Sequence, residues 1–105
     1  MARFDVYRNP GAQADHVPYL VDVQSEVLSA LDTRIVIPLR RLSNFPQTRL
    51  PNNLMPVVTI AEVECILETS KLAAVPVRIL KSPIDSLAAN HFEITGALDF
   101  LFQGF

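Results

Sequence analysis

Between Phe4 and Ile79 apolar residues recur at every second position in short runs, and from Ile94 onward at every third or fourth. This change of period constrains the fold more than any other feature. A period of two lays one face of a strand on a core, and a period near 3.6 does the same for a helix. Phe4 and Val6 point one way, and Arg3, Asp5 and Tyr7 the other, until Asn9-Pro10-Gly11 breaks the strand. A second strand is expected over Tyr19–Gln24, with Leu20 and Val21 apolar and Asp22 on the exposed register. Arg34–Leu39 carries the run Ile35-Val36-Ile37, too continuous for a half-exposed strand, and belongs in the middle of the sheet. Pro38 removes one ladder donor and points to a bulge or an edge there.

Residues 42–54, punctuated by Pro46, Pro51 and Asn52-Asn53, read as a loop with a helical turn at most. Val57–Ile60 and Glu64–Thr69 suggest a hairpin across a three-residue turn that has neither Gly nor Asn-Gly. Val75, Val77 and Ile79 alternate with Pro76 and Arg78 as the last strand. Ile94, Ala97, Leu98, Leu101 and Phe102 then form the stripe of an amphipathic helix. Ser82-Pro83 reads as its cap and Gly104 as its stop. Gly96 costs about 1 kcal/mol against Ala inside that helix, which marks a point of close approach for another backbone. The order, five or six antiparallel strands and then one helix, suits an α+β domain that is mainly β: a curled antiparallel sheet or open barrel with one C-terminal α-helix.

The 105 residues have the size of a single domain. Half are hydrophobic and only 19% charged, so apolar surface either fills the core or is shared with a partner. The net charge of −2 offers no basic stripe for direct nucleic-acid binding. The densest cationic cluster, Arg40-Arg41 with Arg34 and Arg49 nearby, reads as a solvated strand edge and loop, or more sharply as a site for an acidic protein partner. Cys65 is the sole cysteine, alternates with Val63 and Leu67, and is expected to be a buried, inert thiol. No signal peptide and no apolar run of about 20 residues is present, so the expected setting is soluble and cytoplasmic, with no membrane partner.

Little in the chain suggests catalysis. His16 and His91 lie far apart, neither with an orienting partner at a telling spacing, and with Cys65 they make a poor zinc set. No phosphate-cradling loop, dinucleotide turn or nucleophile elbow appears. No catalytic residue, metal or cofactor is therefore expected. The unusual segment is the end, Phe100-Leu101-Phe102-Gln103-Gly104-Phe105, because chain ends are ordinarily frayed and polar. Leu101 and Phe102 can finish the core face of the helix, but Phe105 lies past its stop, which suits an interface.

The block Tyr19-Leu20-Val21-Asp22-Val23-Gln24-Ser25, the strand Arg34-Ile35-Val36-Ile37-Pro38-Leu39, the pieces Pro56-Val57-Val58 and Ala74-Val75-Pro76-Val77, and the ending Gly96 to Phe105 together resemble the CcdB family of toxins, in order and over almost the whole chain. The resemblance implies an SH3-like curled sheet with a long C-terminal helix, a fold shared with the MazF ribonucleases. It implies a type II toxin of a toxin–antitoxin system: a homodimer that binds the DNA gyrase A subunit and traps the cleaved-DNA complex. It also implies a CcdA-like antitoxin that wraps the toxin with a disordered segment. The family's gyrase-contacting positions fall on Ser25, Val27, Leu28, Asp99, Phe102, Gln103, Gly104 and Phe105. Antitoxin contacts fall on Tyr7, Arg8, Arg40 and Arg41, and the two-fold axis that pairs the helices puts Gly96 and Leu101 at the dimer interface.

Three departures stand out. Gln103 replaces a family Trp whose ring stacks on a gyrase arginine, a cation–π contact worth roughly 0.5–2 kcal/mol per copy. Phe105 replaces an Ile, and the Ile60–Glu64 hairpin lacks a glycine common there. Two alternatives stay open. One is a non-toxic relative that binds an antitoxin or regulates an operon, supported by Gln103. The other is a MazF-like endoribonuclease, for which Arg34, Arg40, Arg41 and Arg49 are the candidate cations.

Overall fold

The computed structural model describes residues 2–45 and 52–104. Strands β1 (Asp5–Arg8), β2 (Tyr19–Asp22), β3 (Thr33–Arg41), β4 (Val57–Ile60), β5 (Val63–Leu67), β6 (Ala73–Pro76) and β7 (Asp85–Ser86) precede helix α1 (His91–Gln103). All pairings are antiparallel, in the order β4-β5-β3-β2-β1-β7, with β6 beside the first half of β3. The sheet curls into a nearly closed, SH3-like barrel with the helix at its C-terminal end, the mainly β fold expected from the periods.

β3 organises the sheet, and its β-branched run lies in the middle as expected. One edge pairs Val36–Leu39 with β2, while the other is shared between β6 at Thr33–Val36 and β5 at Leu39–Arg41. Pro38 sits at this changeover. Its carbonyl accepts from Glu68 N–H at 3.0 Å on the β5 side. A strand residue's N and C=O point to the same neighbour, so the missing donor falls between β6 and β5. Pro38 thus makes neither an edge nor a bulge in the continuous β2–β3 ladder.

Both faces of the central strands are covered. The larger core packs Val21, Ile37, Leu39 and Leu67 against Ile94 and Ala97 of α1, and the smaller joins Tyr7, Leu20, Val36 and Leu80 on the opposite face. Every residue of β2 is consequently buried. Asp22, assigned to the exposed register from alternation alone, is fully buried because the smaller core closes over that face.

β2 stops at Asp22, two residues early, β3 extends to Thr33–Arg41 and β5 spans Val63–Leu67, and larger differences from the periodic reading fall at three places. The hairpin turn has two residues, Ala61 and Glu62, both with positive φ (49° and 68°). β6 begins at Ala73 and stops at Pro76, because Thr33, its last partner, is where β3 starts. Val77–Ile79 therefore folds into a 3-10 turn, closed by Leu80 N–H to the Val77 carbonyl at 3.0 Å, which carries Leu80 into the smaller core. The helix starts at His91 and not near Ser82-Pro83, since residues 84–87 extend the sheet along β1: Ile84 N–H reaches the Val6 carbonyl and Leu87 N–H the Phe4 carbonyl, each at 2.8 Å. Gly104 stops the helix as expected, with φ 80° and its N–H on the Phe100 carbonyl at 2.9 Å.

Candidate functional site

The segment after β2 leaves the sheet through a buried polar network. Arg34 grips Asp22 with two hydrogen bonds, Nε to Oδ2 at 2.8 Å and a terminal nitrogen to Oδ1 at 3.0 Å, and that same nitrogen reaches the Gln24 carbonyl at 2.9 Å. Both charged side chains have no exposed surface. Arg34, counted with the solvated cations from sequence, is thus an interior residue: its guanidinium is spent on Asp22 and Gln24. Residues 25–32 then form a loop in which no side chain is buried. Ser25 Oγ caps a 3-10 turn over Glu26–Leu28 by accepting from Val27 N–H at 3.4 Å, and Glu26 Oε1 accepts from Arg3 N–H at 3.1 Å. Val27 is held out in solvent, 88% exposed, with Leu28 and Leu31 also exposed.

The second group of candidate residues ends the helix. Ile94 and Ala97 face the larger core, Leu98 packs at its margin and Leu101 is half-buried. Phe102, on the same sequence stripe, is 70% exposed, and Asp99, Gln103 and Gly104 are exposed as well. The core ends before the last turn, so that turn projects. Phe105 and Arg49 lie outside the described residues.

Within one chain the structure does not bring the two groups together. Ser25, Glu26 and Val27 share a hollow with Arg3, Phe4, Ala88 and His91, at the start of α1. Phe102 lies eleven residues beyond His91, about 16 Å along a helix rising 1.5 Å per residue. Between them runs a groove of about 630 Å³ bordered by Phe92, Gly96, Phe100 and Gly104 on the helix and by Asn52, Asn53 and Pro56 opposite. Phe92, 82% exposed with its ring 4.2 Å from that of His91, was missed in the sequence. The signal available was the i, i+4, i+8 file Phe92-Gly96-Phe100, a second apolar line off the core stripe. Gly96 is exposed on this face, and a Cβ there would meet nothing within 4 Å among the described residues.

The remaining candidates divide by burial. Tyr7, named from sequence as an antitoxin contact, is 2% exposed and packs in the smaller core, so its side chain offers no outer surface in this chain. Burial pushes its hydroxyl pKa up, helped by the charges of Asp5 and Asp22 and opposed by Arg34. Arg8 is exposed, and Arg40 and Arg41 are half-buried. Arg40 lines a second groove with Asn9, Gln13, Leu20, Pro38, Glu68 and Lys71, in which the Lys71 ammonium is paired with the Glu68 carboxylate at 3.5 Å, while Arg41 donates from Nε to the Asp15 carbonyl at 2.9 Å. Cys65 is fully buried, as its alternation implied, and burial raises its thiol pKa against the lowering charge of Arg41. His16 and His91 are both exposed, on the loop before β2 and on the first turn of α1. Among the described residues no three His, Cys, Asp or Glu side chains are grouped to hold a metal ion, and no helix is long and apolar enough to cross a membrane.

The arrangement suits binding: apolar side chains are exposed at both ends of α1, and a polar groove that holds Arg40 lies across the sheet. Compared with known protein families, the chain matches the family described as CcdB protein over residues 3–104.

Proposed function

The chain belongs to the CcdB family, toxins of toxin–antitoxin systems, and from that premise we propose that it acts by binding the DNA gyrase A subunit and trapping the cleaved-DNA complex, without catalysing a reaction. The observation that carries this reading is the projecting last turn, where Phe102, Gln103 and Gly104 stand clear of the core. A homodimer presents that end twice, and an isologous interface makes each contact in duplicate. Val27 and Leu28, beside the exposed Ser25, add an apolar patch open to a partner. A CcdA-like antitoxin segment with acidic residues would meet Arg40 in its groove, where Lys71 is paired with Glu68, with Arg8 and Arg41 as further cations.

A gyrase cleavage assay tests the reading. The purified protein is expected to accumulate linear DNA with gyrase and ATP, and removal of Gln103–Phe105 to abolish this while leaving thermal unfolding nearly unchanged. No linear DNA at high protein excess defeats it. Gln103 favours a second reading, a non-toxic relative that binds an antitoxin, because Gln cannot supply the cation–π contact of the family's Trp. Unimpeded growth of a gyrase-sensitive host expressing the protein without antitoxin decides for that alternative. The endoribonuclease reading loses one of its four candidate cations, since Arg34 is committed to Asp22 in the interior.

A further inference from the structure

The loop of residues 25–32 poses a physical problem. It holds Val27 and Leu28 in water, yet none of its own side chains is buried, so packing cannot fix its shape. Hydrogen bonds must do so, and they converge on Gln24. Its backbone N–H donates to Asp22 Oδ1 at 3.0 Å, and its carbonyl accepts from Arg34 at 2.9 Å. Its side-chain Nε2 donates to the Leu28 carbonyl inside the loop and to the Thr33 carbonyl at the loop's end, both at 3.3 Å. Its Oε1 accepts from Ile35 N–H on β3 at 3.0 Å. The amide therefore ties the middle of the loop to the strand that follows it, while the Asp22–Arg34 pair fixes Gln24 itself. A primary amide is the side chain that can donate twice and accept once across such a span.

We propose that Gln24 is a positioning residue that holds the 25–32 loop in its partner-binding shape. This rests on the reading that Val27 and Leu28 touch gyrase. Gln24 is only 8% exposed, so it acts through the loop and not by contact with the partner. Two other holds secure the loop's ends, Glu26 on Arg3 N–H at its first turn and the Asp32 carbonyl on Val77 N–H at 2.9 Å, and neither reaches Leu28 in its middle.

The test uses the full chain with Gln24→Met, which keeps the volume and removes every side-chain bond, and Gln24→Glu, which keeps the acceptor for Ile35 N–H and loses both donors. Amide hydrogen exchange is read at Leu28, Ser29 and Leu31, whose N–H groups close the loop's turns onto the Ser25, Glu26 and Leu28 carbonyls. Binding to a purified gyrase A fragment is measured in parallel. Both variants are expected to speed loop exchange at least tenfold and weaken gyrase A binding about tenfold. Exchange within α1 stays at the wild-type rate, and Ile35 loses protection in Gln24→Met alone. Loop exchange at the wild-type rate in both variants overturns the proposal, as does faster exchange with unchanged gyrase affinity. Val27→Ser separates the two claims: it should weaken gyrase A binding with no change in loop exchange. If the wild-type chain does not bind the fragment, the functional reading fails, and loop exchange in the two variants still decides whether Gln24 holds the loop.

Discussion

Removing one member of the Asp22–Arg34 pair strands a full charge in a site with no exposed surface. Such losses run to about 3–5 kcal/mol, whereas replacing both partners with apolar residues of similar volume is often neutral or stabilising. The pair has an added reason to behave this way. One terminal nitrogen of Arg34 is buried with no protein partner among the described residues, so the pair does not satisfy every donor of the guanidinium. Asp22→Ala is expected to lower unfolding free energy by about 3–5 kcal/mol in urea, and Asp22→Leu combined with Arg34→Met to recover most of it. A double variant as unstable as the single one would show that the ion pair stabilises the fold beyond satisfying its own charges. The string holding Asp22, Gln24 and Arg34 was legible as family signature, but the burial of Asp22 was not. Alternation tells which way a side chain points and not whether anything covers that side, and here Leu80, delivered from far along the chain, helps to cover it.

Among the elements, the β4–β5 hairpin shows most clearly what residue types conceal. The flanking runs Val57–Ile60 and Val63–Leu67 announced the strands, but Ala61-Glu62 announced no turn, because neither residue favours the positive φ both adopt. Side chains in that conformation cost roughly 1–2 kcal/mol each, which the paired strands override. Replacing Ala61 with Asn and Glu62 with Gly together should raise stability by about 1–2 kcal/mol, seen as a higher melting temperature. A melting temperature at or below wild type would mean that Glu62 or Ala61 makes a compensating contact. The same limit explains β7 and the late start of α1. Two residues of strand are too few for a period to register, and Asn90 caps the helix with no side-chain bond to its backbone, reaching Glu93 instead. Gly104 was readable because a helix stop needs a conformation that glycine adopts at little cost.

For the molecule as a whole, the apolar half of the composition goes partly inward, to two cores, and partly outward, to Val27, Leu28, Phe92 and Phe102. The sequence showed the excess but not its placement, since Phe92 and Ile94 look alike until the barrel decides which side of α1 it occupies. Gly96 discriminates between a face that meets water and one that meets a second copy. It is exposed within a helix, and an added Cβ would touch nothing among the described residues. Ala should therefore stabilise an isolated protomer by about 1 kcal/mol through propensity alone. In the proposed dimer another backbone approaches there, and the extra methyl holds the helices apart. Gly96→Ala is then expected to raise the dimer dissociation constant while raising the melting temperature at low protein concentration. Sedimentation equilibrium and melts at two concentrations read both effects. A dissociation constant equal to wild type, with the stability gain intact, would place the two-fold contact on another face and leave the Phe92-Gly96-Phe100 groove open to a different partner.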